Sequence, residues 1–357
     1  NTNNGNTEFK FNIDDRSQNW ETIWDASGVD TIIFNGEQNY SVNIDLRAPT
    51  LNLTDPEQTL SGICTVTDPN TWGGFAIGHN VNIENARSGN GNDTLTGNDL
   101  NNVLNSLGGN NIFNPNLGNN LIKSGNGNDT IYLKSTELWD NKFVAVHTIT
   151  NETSTYESIN LQGYNKFSDH IFSGEGQDKI YLTANDDAFF LDDHYSASNS
   201  STYQESYNLG LAFGVLPRLI NCEEIYGLAG SDLLDFTSAK ITASKLLLNG
   251  GDGDDILWAG AKNDVLIGGQ GNDELNGGPG DDEITGGAGI DHFKFAGTFG
   301  NDQISDWEIN HDKISLYNIK QNEITFNQNV LLYGENNSIT FADLSSEEVL
   351  SISIEFI

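Results

Sequence analysis

A strict nine-residue repeat constrains what this chain can fold into more than any other feature. Residues 88–132 hold five nonapeptides in one register, and residues 250–294 hold five more. The second block runs GGDGDDILW, AGAKNDVLI, GGQGNDELN, GGPGDDEIT and GGAGIDHFK. Glycine recurs at positions 1, 2 and 4, aspartate at position 6 and a large apolar residue at position 8. A fixed short period is typical of a coil whose successive repeats stack on one another.

The residue types at these positions suit such a coil. Glycine permits the positive φ angles of tight turns and leaves backbone carbonyl oxygens free to face an ion. Because one nonapeptide makes half a coil, repeats n and n+2 should stack as parallel strands about 4.8 Å apart. Position 8 should point inward. The predicted inward residues are Leu95, Leu104, Phe113, Ile122 and Ile131 in the first block, and Leu257, Leu266, Leu275, Ile284 and Phe293 in the second.

Position 6 of the second block predicts calcium binding. Calcium takes oxygen ligands at about 2.3–2.6 Å, so an ion between stacked turns can contact an aspartate or a carbonyl from both. The spacing predicts one ladder, Asp255–Asp273–Asp291, and a second, Asp264–Asp282. A metal-free, glycine-rich solenoid is the alternative. The predicted metal-site residues of this block are Gly250, Asp252, Asp255, Asp264, Gly268, Gly271, Asp273, Gly277, Asp282, Gly286, Gly289 and Asp291.

The first block is poorer in charge at position 6, which carries asparagine in its three central repeats. An amide oxygen can bind calcium, but it has no charge, so we expect fewer or weaker ions here. The alternative is a roll partly held by asparagine hydrogen bonds. The predicted metal-site residues are Asp93, Asn111 and Asp129, with Asp178 and Asp232 added by isolated repeats at 173–181 and 227–235.

The charge balance agrees with cation binding. Asp and Glu number 51 against 16 Lys and Arg, giving a formal net charge of −35. Such a chain does not favour nucleic acid or an anionic membrane. Without metal the carboxylates should repel, and the roll should be poorly folded. We find no apolar stretch long enough for a transmembrane segment, no signal peptide and no Met, so we expect that an N-terminal portion has been removed.

The strand patterning predicts an all-β fold: a right-handed parallel β-roll in two blocks with β-sandwich-like flanking segments. The predicted segments are a β segment at 1–87, a first roll block at 88–132, a β-rich insertion at 133–249, a second roll block at 250–294 and a C-terminal β cap at 295–357. Cys64 and Cys222 could form a single bridge or remain as two separately buried thiols.

The repeats resemble those of the RTX (repeats-in-toxin) family, a group of calcium-binding proteins. In addition, WETIWDASGVDTIIF at 20–34 and IGHNVNIENARSGNGNDTLTGND at 77–99 resemble the C-terminal, non-catalytic region of serralysin-type metalloproteases. The end of the chain, EEVLSISIEFI, is similar to the C-terminal signal of type I secretion substrates. The resemblance implies transient contact with a type I exporter, and calcium-triggered folding after secretion to the extracellular space or cell surface.

The sequence offers no catalytic motif. The zinc motif H-E-x-x-H-x-x-G-x-x-H is absent, and the six histidines are scattered over predicted strands and turns. Trp20, Trp24 and Trp72 could form a sugar-binding platform, although such residues more often belong to the core. Trp258 should face outward unless another segment covers it.

These features favour a non-catalytic structural or surface protein, such as a surface-layer, adhesin or filament component. A homo-oligomer or cell-surface assembly would then be its partner. One alternative is the secretion and folding module of a larger serralysin-like protease whose catalytic domain has been removed. Another is a carbohydrate-binding or ice-binding module.

Overall fold

The computed structural model describes residues 3–11, 20–34, 39–49, 61–67, 74–139, 144–148, 156–190, 219–237, 243 and 245–357. Almost all regular structure in these ranges is strand. The strands of the first half are β1 Asn3–Asn4, β2 Glu8–Phe11, β3 Trp20–Ile23, β4 Asp25–Ser27, β5 Thr31–Phe34, β6 Val42–Asp45, β7 Ile63–Val66, β8 Gly74–Ile77, β9 Asn85–Arg87, β10 Thr94–Thr96, β11 Val103–Asn105, β12 Ile112–Asn116, β13 Leu121–Lys123, β14 Thr130–Leu133, β15 Val144–Thr148, β16 Tyr156–Asn160 and β17 Asn165–Lys166.

Short strands also dominate the described residues of the second half, where a 3-10 helix, Gln321–Glu323, and an α-helix, α1 Ser346–Val349, are also present. The strands are β18 His170–Phe172, β19 Lys179–Tyr181, β20 Asp187–Phe190, β21 Leu219–Ile220, β22 Glu224–Ala229, β23 Leu233–Asp235, β24 Leu247–Asp252, β25 Ile256–Trp258, β26 Val265–Gln270, β27 Glu274–Asn276, β28 Glu283–Ala288, β29 His292–Ala296, β30 Asn301–Ile304, β31 Lys313–Tyr317, β32 Ile324–Asn327, β33 Val330–Tyr333, β34 Asn337–Phe341 and β35 Ile354–Phe356.

The chain divides into two compact units. Unit 1 comprises residues 1–135, 167–181 and 218–222. One of its sheets has the strand order β3-β8-β7-β6-β10-β12-β14-β19, and the other has the order β2-β5-β9-β11-β13-β18-β21. Successive nonapeptides alternate between the two sheets, so each repeat forms half a coil. Strands of the repeat block therefore pair in parallel with the strand two repeats away, as Leu95 with Phe113 and Leu104 with Ile122.

Unit 2 comprises residues 136–166, 182–217 and 223–357. Its repeats build the sheet orders β22-β24-β26-β28-β30-β34-β33-β32 and β17-β20-β23-β25-β27-β29-β31-β35. The parallel register again joins repeats n and n+2, as Leu257 with Leu275 and Leu266 with Ile284. Strands β15 and β16 pair with each other in antiparallel orientation.

Position 8 of every repeat in both blocks lies in the interior, and all ten predicted inward side chains have 0% exposure. This confirms the predicted inward residues. Each coil adds one large apolar side chain to each wall, and its burial supplies most of the favourable free energy. The bounds of the five predicted segments stay predictions.

Side chains outside the repeats cover one outer face of unit 2. Trp258 is fully buried and packs in a cluster with Leu161, Ala188 and Leu233, against which Trp139 also lies. The sequence predicted that Trp258 faces outward unless another segment covers it. Leu161 and Trp139 provide that cover. Farther along unit 2, β32, β33 and β34 form an antiparallel meander.

Both cysteines lie in unit 1 and are buried free thiols, so the structure favours separate thiols over a bridge. Burial raises the pKa of the Cys64 thiol to about 12, which keeps it protonated and unreactive.

Candidate calcium site

The aspartates at position 6 form a continuous hydrogen-bonded ladder along one edge of unit 2. The backbone N–H of Asp232 donates to Asp255 Oδ1 at 2.7 Å, that of Asp255 to Asp273 Oδ1 at 2.8 Å, and that of Asp273 to Asp291 Oδ1 at 3.0 Å. The turn thus holds each carboxylate in a fixed orientation. The structure brings the first predicted ladder together.

The second carboxylate oxygen of these aspartates faces inward. In Asp232, Asp255 and Asp273 the Oδ2 atom is buried and accepts no hydrogen bond. A buried carboxylate oxygen without a donor is costly, by about 1–3 kcal/mol or more for a charged group. These oxygens therefore require a proton or a cation.

Glycine at position 1 makes the space that such a cation would enter. A Cβ atom on Gly268 would collide with Asp273 Oδ2 and with the backbone carbonyl oxygen of Gly286 in the next coil. Two acceptor oxygens from successive coils therefore converge beside a residue that has no side chain. This donor set, a carboxylate and a carbonyl, is what calcium prefers. The residues present fit the ion.

The other position-1 glycines of the second block have the same environment. Each would meet the Oδ2 atom of the aspartate five residues later if it carried a Cβ: Gly250 with Asp255, Gly277 with Asp282, and Gly286 with Asp291. Gly271 and Gly289, at position 4, have φ angles of +133° and +152°, which L side chains rarely adopt. Asp252 differs, because it is exposed at the end of its strand.

The opposite edge of unit 2 carries the second predicted ladder and extends it. The N–H of Asp264 donates to Asp282 Oδ1 at 2.7 Å, and that of Asp282 donates to Asp302 Oδ1 at 2.9 Å. Asp282 Oδ2 is again buried without a donor. Both edges of the second block thus present the same stacked carboxylates.

Burial and mutual repulsion change the acidity of these groups. Loss of solvation is the largest cause, and it raises the pKa of Asp255 and Asp273 to about 7, of Asp282 to about 8 and of Asp232 and Asp302 to about 9. Neighbouring carboxylates add to the effect. The metal-free site therefore favours protonation at neutral pH, and a bound divalent cation would reverse this preference.

One edge of unit 1 carries a ladder of mixed composition. The N–H of Asp93 donates to Asn111 Oδ1 at 2.8 Å, that of Asn111 to Asp129 Oδ1 at 2.7 Å, and that of Asp129 to Asp178 Oδ1 at 2.8 Å. Burial raises the pKa of Asp93 and of Asp129 to about 6. The four predicted residues of this ladder therefore lie in one row.

Several ladder residues escaped the sequence analysis because insertions interrupt the nine-residue period. In unit 2, the N–H of Asp187 donates to Asp232 Oδ1 at 2.8 Å and that of Asp291 donates to Asp312 Oδ1 at 3.1 Å. In unit 1, the N–H of Asp30 donates to Glu84 Oε2 at 2.7 Å. The signal that could have found the aspartates is an apolar residue two positions after each, as in DAF, DKI and DTI.

Among the residues that the structure describes, no group of three or more His, Cys, Asp or Glu side chains is arranged to hold a metal ion. An ion in these turns would therefore depend on backbone carbonyls for much of its coordination. Sites of this kind are formed by turn geometry, which is why glycine matters as much as aspartate.

Two of the three tryptophans considered for a sugar-binding platform are exposed, whereas Trp307 lies in the core. Trp20 and Trp24 are 54% and 59% exposed, so the core interpretation is wrong for both. Trp20 begins β3 and Trp24 directly follows it, and β3 lies at the edge of its sheet. Trp72 lies outside the described residues.

Across the described part of the chain, no helix is long and apolar enough to cross a membrane.

Stacked acidic turns, glycine cradles and an interior of position-8 residues define a class: an all-β parallel β-roll built from calcium-binding repeats. The model of the RTX calcium-binding nonapeptide repeat matches residues 247–263 and 258–293. The chain belongs to the peptidase M10 serralysin C-terminal family, whose model matches residues 2–190, more than half of its length. These two domains mark a calcium-binding protein of the type I secreted, extracellular class.

The comparison with solved structures also gives matches. The extracellular lipase LipA from Serratia marcescens is similar over 77% of this chain and 40% of the lipase, at 16% identity and a TM-score of 0.18. The chain thus spans less than half the length of that protein. No curated protein gives a significant match.

Proposed function

We propose that this protein is a non-catalytic extracellular component, structural or surface-associated, whose roll folds when calcium becomes available. The observation that carries the proposal is the row of buried Oδ2 atoms in unit 2. The Oδ2 atoms of Asp232 and Asp273 lie beside carbonyl oxygens of the next coil, those of Gly250 and Gly286 respectively. Stacked acceptors of this kind need a cation between them once the carboxyl groups have lost their protons.

The carboxylates of unit 2 would act as the trigger. Calcium, when bound, supplies the positive charge that lets these oxygens approach one another. In its absence Asp232, Asp255 and Asp273 repel across successive coils, and the chain as a whole carries a formal charge of −35. Each site at 100-fold calcium over its Kd contributes about 2.7 kcal/mol, so a few sites can account for a domain's stability.

Circular dichroism and hydrogen exchange with and without chelator test the trigger. We expect unit 2 to gain β signal and amide protection at millimolar calcium, with magnesium as a control, because magnesium requires tighter octahedral geometry. An unchanged spectrum and melting temperature in excess chelator would contradict the proposal.

Sedimentation velocity tests the structural role. A surface-layer or filament subunit should form larger assemblies at millimolar calcium and dissociate in chelator. A calcium-loaded chain that stays monomeric over a hundredfold range of concentration would argue against that role while leaving calcium-triggered folding intact.

The second candidate is a secretion and folding module of a larger serralysin-like metalloprotease. The match of residues 2–190 to the serralysin C-terminal family favours it. The parent gene distinguishes the two functions: a zinc motif of the form H-E-x-x-H upstream of this region would support the module, and its absence would eliminate it.

A further inference from the structure

Asn111 occupies an aspartate position of the ladder, but its side chain makes different contacts. Its Nδ2 atom donates to the carbonyl oxygen of Gly109 at 2.9 Å, in its own turn, and to that of Ser124 at 3.1 Å, in the next coil. Its Oδ1 atom accepts the N–H of Asp93 at 2.8 Å. The residue is buried, with 1% exposure, and both ends of its amide have partners.

The contact with Ser124 identifies what the amide nitrogen replaces. Ser124 is position 1 of the next coil on the same edge. In unit 2 the equivalent carbonyl is that of Gly286, which converges with Asp273 Oδ2 beside Gly268. There two acceptors face each other and a cation must separate them. At Asn111 a donor faces the carbonyl instead, so the same space is closed by a hydrogen bond.

The orientation of the amide is set by its neighbours. A backbone N–H can only donate, so the atom facing Asp93 must be Oδ1. A carbonyl can only accept, so the atom facing Gly109 and Ser124 must be Nδ2. Rotating the amide to offer oxygen to a cation would leave the N–H of Asp93 against an NH₂ group.

We propose that Asn111 substitutes for a calcium ion, so that the turn between Asp93 and Asp129 is closed by amide hydrogen bonds and needs no metal. In this proposal Asn111 is not a ligand, in contrast to the expectation from sequence. The inference rests on the proposed function, because it assigns the Asn111 turn and the aspartate turns of unit 2 different calcium requirements.

The opposite edge of unit 1 also carries asparagines at position 6, but Asn102 has a different orientation. The N–H of Asn102 donates to Asn120 Oδ1 at 2.9 Å. The Nδ2 atom of Asn102 donates to the carbonyl of Glu84, in the preceding coil, at 2.9 Å. Its Oδ1 atom lies with the carbonyl oxygen of Pro115 beside Gly97, so the closure seen at Asn111 does not extend to this turn. The Asn111 turn should keep its structure at calcium concentrations too low to fold the aspartate ladder of unit 2.

Reciprocal substitutions in the full chain test the proposal. Asn111→Asp places two acceptors face to face, so we expect at least one more bound calcium per chain by native mass spectrometry. In chelator, the amides of Asp93 and Asn111 should lose at least about tenfold of their hydrogen-exchange protection. Asp273→Asn should do the reverse, lowering the calcium count and preserving protection of the Asp255 amide in chelator.

Two exposed positions provide matched controls. Asn110→Asp adds the same charge on the same turn, and Asp254→Asn removes the same charge beside Asp255, yet each new side chain can still accept the N–H that it accepts now. Neither should change the calcium count. An unchanged count in Asn111→Asp, with protection kept in chelator, would overturn the proposal.

The wild-type chain separates failure of this inference from failure of the proposed function. If chelator removes protection from the amides of Asp93 and Asn111 together with those of Asp255 and Asp273, the asparagine inference is wrong and calcium-triggered folding stands. If chelator leaves the amides of Asp255 and Asp273 protected, the proposed function itself is wrong. Loss of protection at Asp255 and Asp273, with protection kept at Asp93 and Asn111, supports both.

Discussion

At each stacked turn the residue at position 6 presents two side-chain atoms, and the ladder uses only one of them. The first accepts an N–H from the preceding coil in Asp273 and in Asn111 alike. The second side-chain atom determines whether the turn can bind a cation, because it faces backbone carbonyl oxygens. An aspartate offers them a second acceptor and thereby creates a cation site, whereas an asparagine offers a donor.

The raised pKa values of the ladder carboxyl groups predict how the stability of the metal-free chain depends on pH. The ordinary value is 3.8, and burial raises the pKa of Asp255 to about 7 and that of Asp282 to about 8. The folded chain therefore holds these protons more tightly than the unfolded chain. Their contribution to stability is complete below pH 3.8 and is lost as the pH rises through 7 to 8.

We therefore expect the melting temperature in chelator to be higher at about pH 5 than at about pH 8. With saturating calcium the order should reverse, because carboxylates must lose their protons to bind the ion. Thermal melts followed by circular dichroism under the four conditions measure both effects. A chelated sample that melts at the same temperature at both pH values would contradict the assignment.

The glycine at position 1 predicts a second residue-scale effect. Gly268→Ala adds a Cβ between Asp273 Oδ2 and the Gly286 carbonyl without removing any ligand. We expect the calcium midpoint for folding of unit 2 to rise at least about tenfold, or about 1.4 kcal/mol. Gly5→Ala is the control, since nothing lies within 4 Å of its added Cβ. Equal calcium midpoints for Gly268→Ala and Gly5→Ala would mean that the space beside Gly268 plays no part in calcium binding.

At the scale of the element, the strands are too short to be stable alone. β27 spans three residues and contributes one inward side chain, Leu275, with 0% exposure. Its parallel partners β25 and β29 supply the equivalent residues Leu257 and Phe293. Stability of each strand therefore depends on the register with its neighbours, which the ladder of turns maintains.

Leu275→Ala should destabilise the calcium-loaded roll by about 2–5 kcal/mol, because a cavity opens between two packed coils. Ile290→Ala is a matched control, since Ile290 is 45% exposed and its loss should cost far less. Denaturant unfolding in millimolar calcium measures the difference. Similar losses for both variants would show that position 8 does not carry the core.

At the scale of the whole molecule, charge opposes the compact state. Carboxylates outnumber cationic side chains 51 to 16, and a run of acidic groups is stacked in the turns of unit 2. Monovalent salt can screen this repulsion but cannot join two oxygens across successive coils. Folding should therefore respond to divalent ions specifically.

Small-angle scattering can separate these two effects. Adding calcium to the chelated chain should reduce its radius of gyration by at least about 1.5-fold, as expected when much of an unfolded chain becomes compact. Potassium chloride at matched ionic strength should produce a much smaller change. An equal contraction in potassium chloride would mean that screening, and not ion bridging, drives compaction.

The sequence by itself determined the period, the inward row and the aspartate ladders. A nine-residue spacing sets which side chains share a wall, so the sequence alone assigns Leu257, Leu275 and Phe293 to one inner wall. The same register placed Asp255 above Asp273. Local residue types are enough here because each coil interacts mainly with the coils beside it.

Only the tertiary structure decided the rest. It showed that the two ladders of unit 2 continue to Asp302 and to Asp312, where steps of 20 and 21 residues replace the regular 18. It also showed that Leu161 and Trp139 cover Trp258. It also showed that the amide nitrogen of Asn111 meets carbonyl oxygens. Insertions shift sequence spacing without disturbing the stacking, and the partner of a side-chain atom depends on backbone that lies a full coil away.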